Sequence, residues 1–212
     1  MPSLVPRRAL SDTASSTATC LGFELLVFLA SGQNHTVLRE GFDALDLPLA
    51  LNLLPAAQES QMLGDLPPGV LTTLTTQNST FNDHQKGSLP GDFLGCPLLT
   101  SRLRPLSTNV DRDGAPFVST VEGVNGLPLF GTQWHPEKPQ YEWDPKEQIP
   151  HDAAAVFANG HFAQFFGDQC RQNSASFPSA AAADAHLIYN YQPVYTAAVV
   201  PGFEFEQCYL FD

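Results

Sequence analysis

A lone cysteine, Cys20, heads the apolar stretch Thr19-Cys20-Leu21-Gly22-Phe23-Glu24. Far downstream, His135 and Glu137 flank a proline in Gly131-Thr132-Gln133-Trp134-His135-Pro136-Glu137-Lys138. A thiol, an imidazole and a carboxylate are the parts for covalent attack on a carbonyl carbon: a nucleophile, a general base, and a group that holds the base in one tautomer. At a helix start the backbone N–H groups favour the thiolate, the reactive form of cysteine. The Cys-x-Gly spacing leaves Gly22 to accommodate a tight turn beneath the sulfur. Each piece also has a plainer reading. A single cysteine is more often a buried structural residue, and an isolated His-x-Glu is more often a surface pair. Their joint occurrence is what points to chemistry.

Other residues are weaker candidates. Glu24, one turn after Cys20, could cap, pair or touch a substrate, and a solvated helix residue is the default. His84, His151 and His161 lack the spacing of a zinc motif, so no metal site and no cofactor is expected. The four cysteines, Cys20, Cys96, Cys170 and Cys208, form no CxxC pair. Lys86 and Lys138 lie close in sequence to His84 and Glu137, and are read either as local positive charge or as solvated side chains.

These residues need elements to position them. Leu21, Leu25, Phe28 and Leu29 fall on one helical face, with Gly32 ending the helix. Leu47 to Leu54 reads as a strand, and Pro67-Pro68-Gly69 breaks the chain before a Thr/Leu run of undecided type. Residues 77–95 read as a long polar connection holding His84. Strand patterns follow at 103–107, 117–121 and 127–133, with Asp113-Gly114 and Asn125-Gly126 as hairpin turns. Residues 152–169 read as a helix capped by Asp152. The tail from His186 reads as extended. Mixed βα and hairpin patterns predict an α/β fold with a layered sheet. Residues 1–19 are small and polar, with no strand pattern visible to present Cys20.

Composition removes several function classes. At 212 residues there is room for one substantial core, and 43% hydrophobic with 15% charged residues is ordinary for a folded chain. A net charge of -12, from 10 basic and 22 acidic residues, argues against a nucleic-acid partner. No run reaches the roughly 20 apolar residues that span a bilayer, so no membrane partner is expected. The start Met1-Pro2-Ser3-Leu4-Val5-Pro6-Arg7-Arg8 has charge but no apolar region after it, so no signal peptide is visible. Two sequons, Asn34-His35-Thr36 and Asn78-Ser79-Thr80, matter only on the secretory route.

Taken together, Thr19 to Glu24, Gln133 to Lys138, the run Tyr141-Glu142-Trp143, and the tail from Leu187-Ile188-Tyr189 through Pro193-Val194-Tyr195-Thr196 to Gln207-Cys208-Tyr209-Leu210-Phe211-Asp212 resemble the gamma-glutamyl hydrolases. These belong to the class I glutamine amidotransferase-like superfamily. The resemblance covers residues 18–212, and leaves 1–17 as a polar segment outside the family domain. It implies a layered α/β sheet with flanking helices, here without the N-terminal βα units. It implies Cys20 as nucleophile, His135 as general base and Glu137 as its partner, with His84 and Glu24 as substrate-binding residues. The implied reaction is hydrolysis of γ-glutamyl amides in folate polyglutamates through a thioester. The implied setting is secreted, lysosomal or vacuolar, with a homodimer as an assembly open to it. Ala18 stands where the family has glycine, which implies strain in the turn. Two alternatives stay open: an inactive family member that only binds a ligand or partner, and a glutaminase that hands on ammonia.

Overall fold

Leu129 and Phe130 are adjacent and both buried, which in a strand requires apolar layers on two opposite faces. The structure, a computed structural model that describes residues 15–199 and 205–211, has that layering. Its main sheet runs in the order β1 (Ser16–Thr19), β7 (Leu129–Thr132), β6 (Pro116–Gly123), β5 (Leu103–Val110), β3 (Asn52–Leu53). The β1–β7 pair is parallel and the rest are antiparallel. On one face, Phe23, Leu26 and Val27 of α1 (Leu21–Ala30) pack with Phe93 and Leu99 onto Leu103, Val118 and Leu129. On the other, Val70 and Leu74 of α2 (Pro68–Thr76) and Ala158 and Phe162 of α6 (Ala153–Arg171) cover Leu106, Phe130 and Trp134. Each such buried side chain contributes about 1.5–3 kcal/mol, so the two faces hold the sheet in place. A separate antiparallel ribbon, β2 (Arg39–Leu49) with β4 (Thr80–Gly87), sets His84 opposite Ala44.

The fold is the expected α/β layered sheet, and the strand and turn patterns of residues 103–133 are met. Asn125 and Gly126 both have positive φ, 54° and 76°, and the Leu127 N–H donates to the Val124 carbonyl at 3.0 Å. That is a type I′ turn, whose twist suits a hairpin. The turn folds back so tightly that a Cβ on Gly123 would lie 2.1 Å from the Leu127 carbonyl oxygen. Gly123→Ala should therefore cost about 3 kcal/mol, read as a lower midpoint in thermal or urea unfolding. Asp152 caps α6 as expected, its carboxylate accepting from the Ala154 and Ala155 N–H groups at 3.0 Å.

Several expectations need correction. Residues 16–19 do form a strand: β1 pairs with β7 through four residues, which a polar Ser-Thr-Ala-Thr sequence does not advertise. Residues 77–95 are not a connection, for they hold β4 and the short helix α3 (Pro90–Leu94). The Thr/Leu run after Pro67 is α2. On α1 the buried side is Phe23, Glu24, Leu26, Val27 and Ala30, while Leu21 and Leu25 are 75% and 54% exposed. The polar stretch 1–14, including the charged start, lies outside the described residues.

The chain divides into two units, residues 1–173 and 174–212. The second holds short pieces where an extended tail was expected. Helical turns at Ile188–Asn190 and Thr196–Val199 interrupt that tail, while β8 (Pro193–Val194) and β9 (Cys208–Tyr209) pair as extended strands; ahead of it lies α7 (Ala180–Asp184), capped by the Ser179 hydroxyl. Among the described residues no helix is long and apolar enough to cross a membrane.

Candidate active site

Cys20 sits between the last residue of β1 and the first of α1, and its N–H donates to the Thr132 carbonyl at 2.9 Å, extending the β1–β7 pairing by one residue. Its backbone, at φ 50° and ψ -110°, lies outside the regions that L-residues ordinarily adopt. Such strain costs on the order of 1–3 kcal/mol and persists where surrounding structure enforces it. The burden falls on Cys20 itself and not on its neighbours. Ala18 is not among the residues of positive φ, and a Cβ on Gly22 would meet Ala18 Cβ at an ordinary 3.6 Å. The expected strain at Ala18 is thus absent, and Gly22 is not forced by φ.

His135 is placed by the residues around it. Trp134, fully buried, donates from its indole to Thr120 Oγ1 at 3.2 Å and meets Phe162 edge-on at 4.8 Å. The His135 N–H donates to the Phe81 carbonyl at 2.8 Å, tying the end of β7 to β4. The imidazole Nδ1 lies 2.6 Å from Glu137 Oε1, and the Cys20 side chain lies near enough to the ring to favour its charged form. The Cys20 thiol lies 3.7 Å from the Asp83 carbonyl oxygen as donor. Cysteine, histidine and glutamate therefore form one chain of contacts. Burial works against a charged His135, yet the hydrogen bonds and charges of Cys20 and Glu137 outweigh it and raise the group to about 9. Burial likewise works against a charged Glu137. The hydrogen bond and charge of His135, with Lys138 adding, hold it below the usual carboxylate range.

The remaining candidates sit close by. Glu24 is buried, its carboxyl raised by desolvation against the opposing hydrogen bond from Gln133 Nε2 at 3.3 Å and the charge of Lys86. His84 lies on β4, wedged between Phe42 and Phe117, with Phe117 edge-on at 4.8 Å. Its Nδ1 faces the Lys86 carbonyl at 2.9 Å; a carbonyl only accepts, so the proton is on Nδ1. Nε2 is then a bare acceptor, buried and without a hydrogen-bond partner among the described residues. Burial foremost, with the neighbouring His135 adding, lowers His84 to about 4.

That depression has a consequence for stability. The folded protein resists protonating His84 while the unfolded chain takes up a proton near 6.5. The contribution is fully present above about pH 6.5 and is lost as pH falls towards 4, roughly 3 kcal/mol in all. His84→Phe, which keeps the ring packing, should flatten this acid slope in urea unfolding measured between pH 7 and 5.

Both lysines are paired with carboxylates, Lys138 the more heavily. Lys138 contacts Glu147 at 3.0 Å, Glu142 at 3.2 Å and Asp83 at 3.8 Å, and Lys86 contacts Glu40 at 3.1 Å. His151 Nδ1 donates to the Pro139 carbonyl at 3.0 Å. Among the described residues no group of His, Cys, Asp and Glu is disposed to hold a metal ion. Beside Glu137, but not lined by Cys20 or His135, is a mainly apolar cleft of about 240 Å³ bordered by Thr19, Thr132, Tyr141, Phe162 and Phe166. Asp83 was missed by sequence reasoning, and its part at Cys20 is played by a backbone carbonyl, which no residue type signals.

No protein-family model matches the chain. Individual proteins do. It is 35% identical over 194 residues to the gamma-glutamyl hydrolase of Homo sapiens, covering 92% of this chain and 58% of that protein. It is 32% identical over 194 residues to gamma-glutamyl hydrolase B of Dictyostelium discoideum, and 33% over 193 to gamma-glutamyl hydrolase 1 of Arabidopsis thaliana. The chain belongs to the gamma-glutamyl hydrolase family. It spans a little over half the length of these curated relatives, from 53% to 58%. The grouping of Cys20 with His135 and Glu137 brings together the two motifs that first carried the resemblance.

Proposed function

We propose that this chain hydrolyses γ-glutamyl amide bonds, with folate polyglutamates as the substrate class and Cys20 as nucleophile. The observation that carries the reading is His135 bonded to Glu137 at 2.6 Å beside the Cys20 side chain, which sits at a strained strand-to-helix turn. The names of the relatives support the same bond type.

In this reading the sulfur, its proton held by His135, adds to the γ-carbonyl carbon. The C–O electron pair moves onto oxygen, and the N–H of Leu21, the residue after the nucleophile, donates to it in this reading. As the C–N bond breaks, the His135 imidazolium gives its proton to the leaving amine, and a thioester to Cys20 remains. Water, deprotonated by His135, attacks the thioester and releases a γ-carboxylate, and the proton returns to the Cys20 sulfur. Glu137 fixes the imidazole and stabilises its charged form. The bare Nε2 of His84 suits an N–H or ammonium donor on the substrate, not a carboxylate.

The test is incubation of the purified chain with folate pentaglutamate, products resolved by chromatography. Shortened folate polyglutamates together with free glutamate or its γ-linked peptides are expected. Intact substrate beside a folded, ligand-binding protein would favour the binding-only alternative. Ammonia release from glutamine without cleavage of polyglutamate would favour a glutaminase.

A further inference from the structure

The run Tyr141-Glu142-Trp143 plays no part in the chemistry above, yet it follows directly on α5 (Lys138–Tyr141), whose first residue adjoins Glu137. Trp143 is 66% exposed, which leaves a large apolar ring in water. It is not a loose ring. The His151 imidazole stacks on it at 3.8 Å with planes 7° apart, and His151 is itself held by the Pro139 carbonyl. The loop beneath is fixed at both ends: Lys138 binds Glu142 and Glu147, and Gln148 binds Asp46 through its N–H and its side-chain amide. One face of the indole is thus occupied and the other is presented in a set orientation, a preorganised stacking surface.

The charges around it decide what can lie there. Glu142, Asp144 and Glu147 flank Trp143, with Asp46 and Asp83 behind them, against Lys138 and Lys146. A polyglutamate tail carries a carboxylate on every residue and is repelled by this rim. Lys86, two residues after His84 on β4, pairs with the exposed Glu40 in a surface contact that is weak and readily exchanged. The uncharged aromatic end of a ligand suits the first side, and the anionic tail the second.

We propose that Trp143, backed by His151, is a stacking subsite for the aromatic acyl head of a γ-glutamyl ligand, setting which end of the ligand faces which rim. This rests on the γ-glutamyl reading of the site. Trp143 is therefore a binding residue outside the reacting groups, and its loss weakens only ligands that carry the ring.

The test uses the Cys20→Ala protein, so that nothing is turned over, and calorimetric titration with two probes: pteroyl-penta-γ-glutamate and penta-γ-glutamate without the pteroyl group. Adding Trp143→Ala should weaken the pteroyl ligand about tenfold, as expected for loss of one stacked ring. Trp143→Phe should recover most of that, and the headless peptide should bind all three proteins within about twofold. Equal weakening of both ligands, or no weakening of either, would overturn the subsite and leave the γ-glutamyl reading standing. Binding of neither ligand to the Cys20→Ala protein would overturn both.

Discussion

Cys20→Ala should abolish γ-glutamyl hydrolysis, lowering turnover by at least about 10⁴-fold while the protein stays folded. Alanine keeps the Cβ and the strained backbone at φ 50°, so it removes the sulfur and little else. The remaining site could bind and polarise the amide, but no atom would be left to form the thioester. A companion variant separates chemistry from strain. Cys20→Gly should be equally inactive, yet more stable by about 1 kcal/mol, because glycine adopts this conformation without steric cost. The pair is read by product chromatography and urea unfolding on the same preparations. Turnover retained in Cys20→Ala would remove the thiol from the mechanism.

His135→Asn should lower turnover by at least about 10³-fold, since general acid and base steps pass through one ring. Its pH dependence is the more searching measurement. The hydrogen bonds and charges of Cys20 and Glu137 raise His135 to about 9 against the effect of burial. The imidazolium that protonates the leaving amine therefore persists through neutral pH and is lost as pH rises through about 9. Activity should fall on the alkaline side near that value. The stabilisation from the charged contacts runs the same way: it is complete below about pH 6.5 and is lost as pH climbs through 9. In Glu137→Gln the neighbouring carboxylate is gone while burial remains, so the alkaline limb should move to lower pH and turnover should drop. An alkaline limb unmoved by Glu137→Gln would mean that another group controls it.

The site was more legible in the sequence than the fold that builds it. Cys20, His135 and Glu137 could be named because each is a reactive residue type in a short distinctive run, and the structure gathers them, with His135 bonded to Glu137 beside Cys20. The hairpins around Asn125-Gly126 and Asp113-Gly114 were visible because those turns require particular residues. The strand β4 was hidden for a physical reason. It buries Asn82 and His84 and anchors one nitrogen of each on the backbone, Asn82 Nδ2 donating to Leu47 O at 3.1 Å and His84 Nδ1 to Lys86 O at 2.9 Å. A strand stabilised that way shows no apolar alternation. The helix α1 failed differently. It is apolar on both sides, Leu21 and Leu25 on one and Phe23, Leu26 and Val27 on the other, so periodicity alone cannot say which side meets the sheet. The strain at Cys20 left only a hint in the Cys-x-Gly spacing, and that hint pointed to Gly22 instead of to the cysteine.

The central claim is a covalent γ-glutamyl thioester on Cys20, and it is tested most directly by trapping that species. The protein is mixed with folate pentaglutamate, quenched in acid within milliseconds to seconds, and its intact mass and peptide map are measured. An added mass equal to the acyl fragment, confined to the peptide carrying Cys20 and absent in Cys20→Ala, is the result expected. Turnover with no adduct at Cys20 at any quench time, or an adduct on another residue, would contradict it.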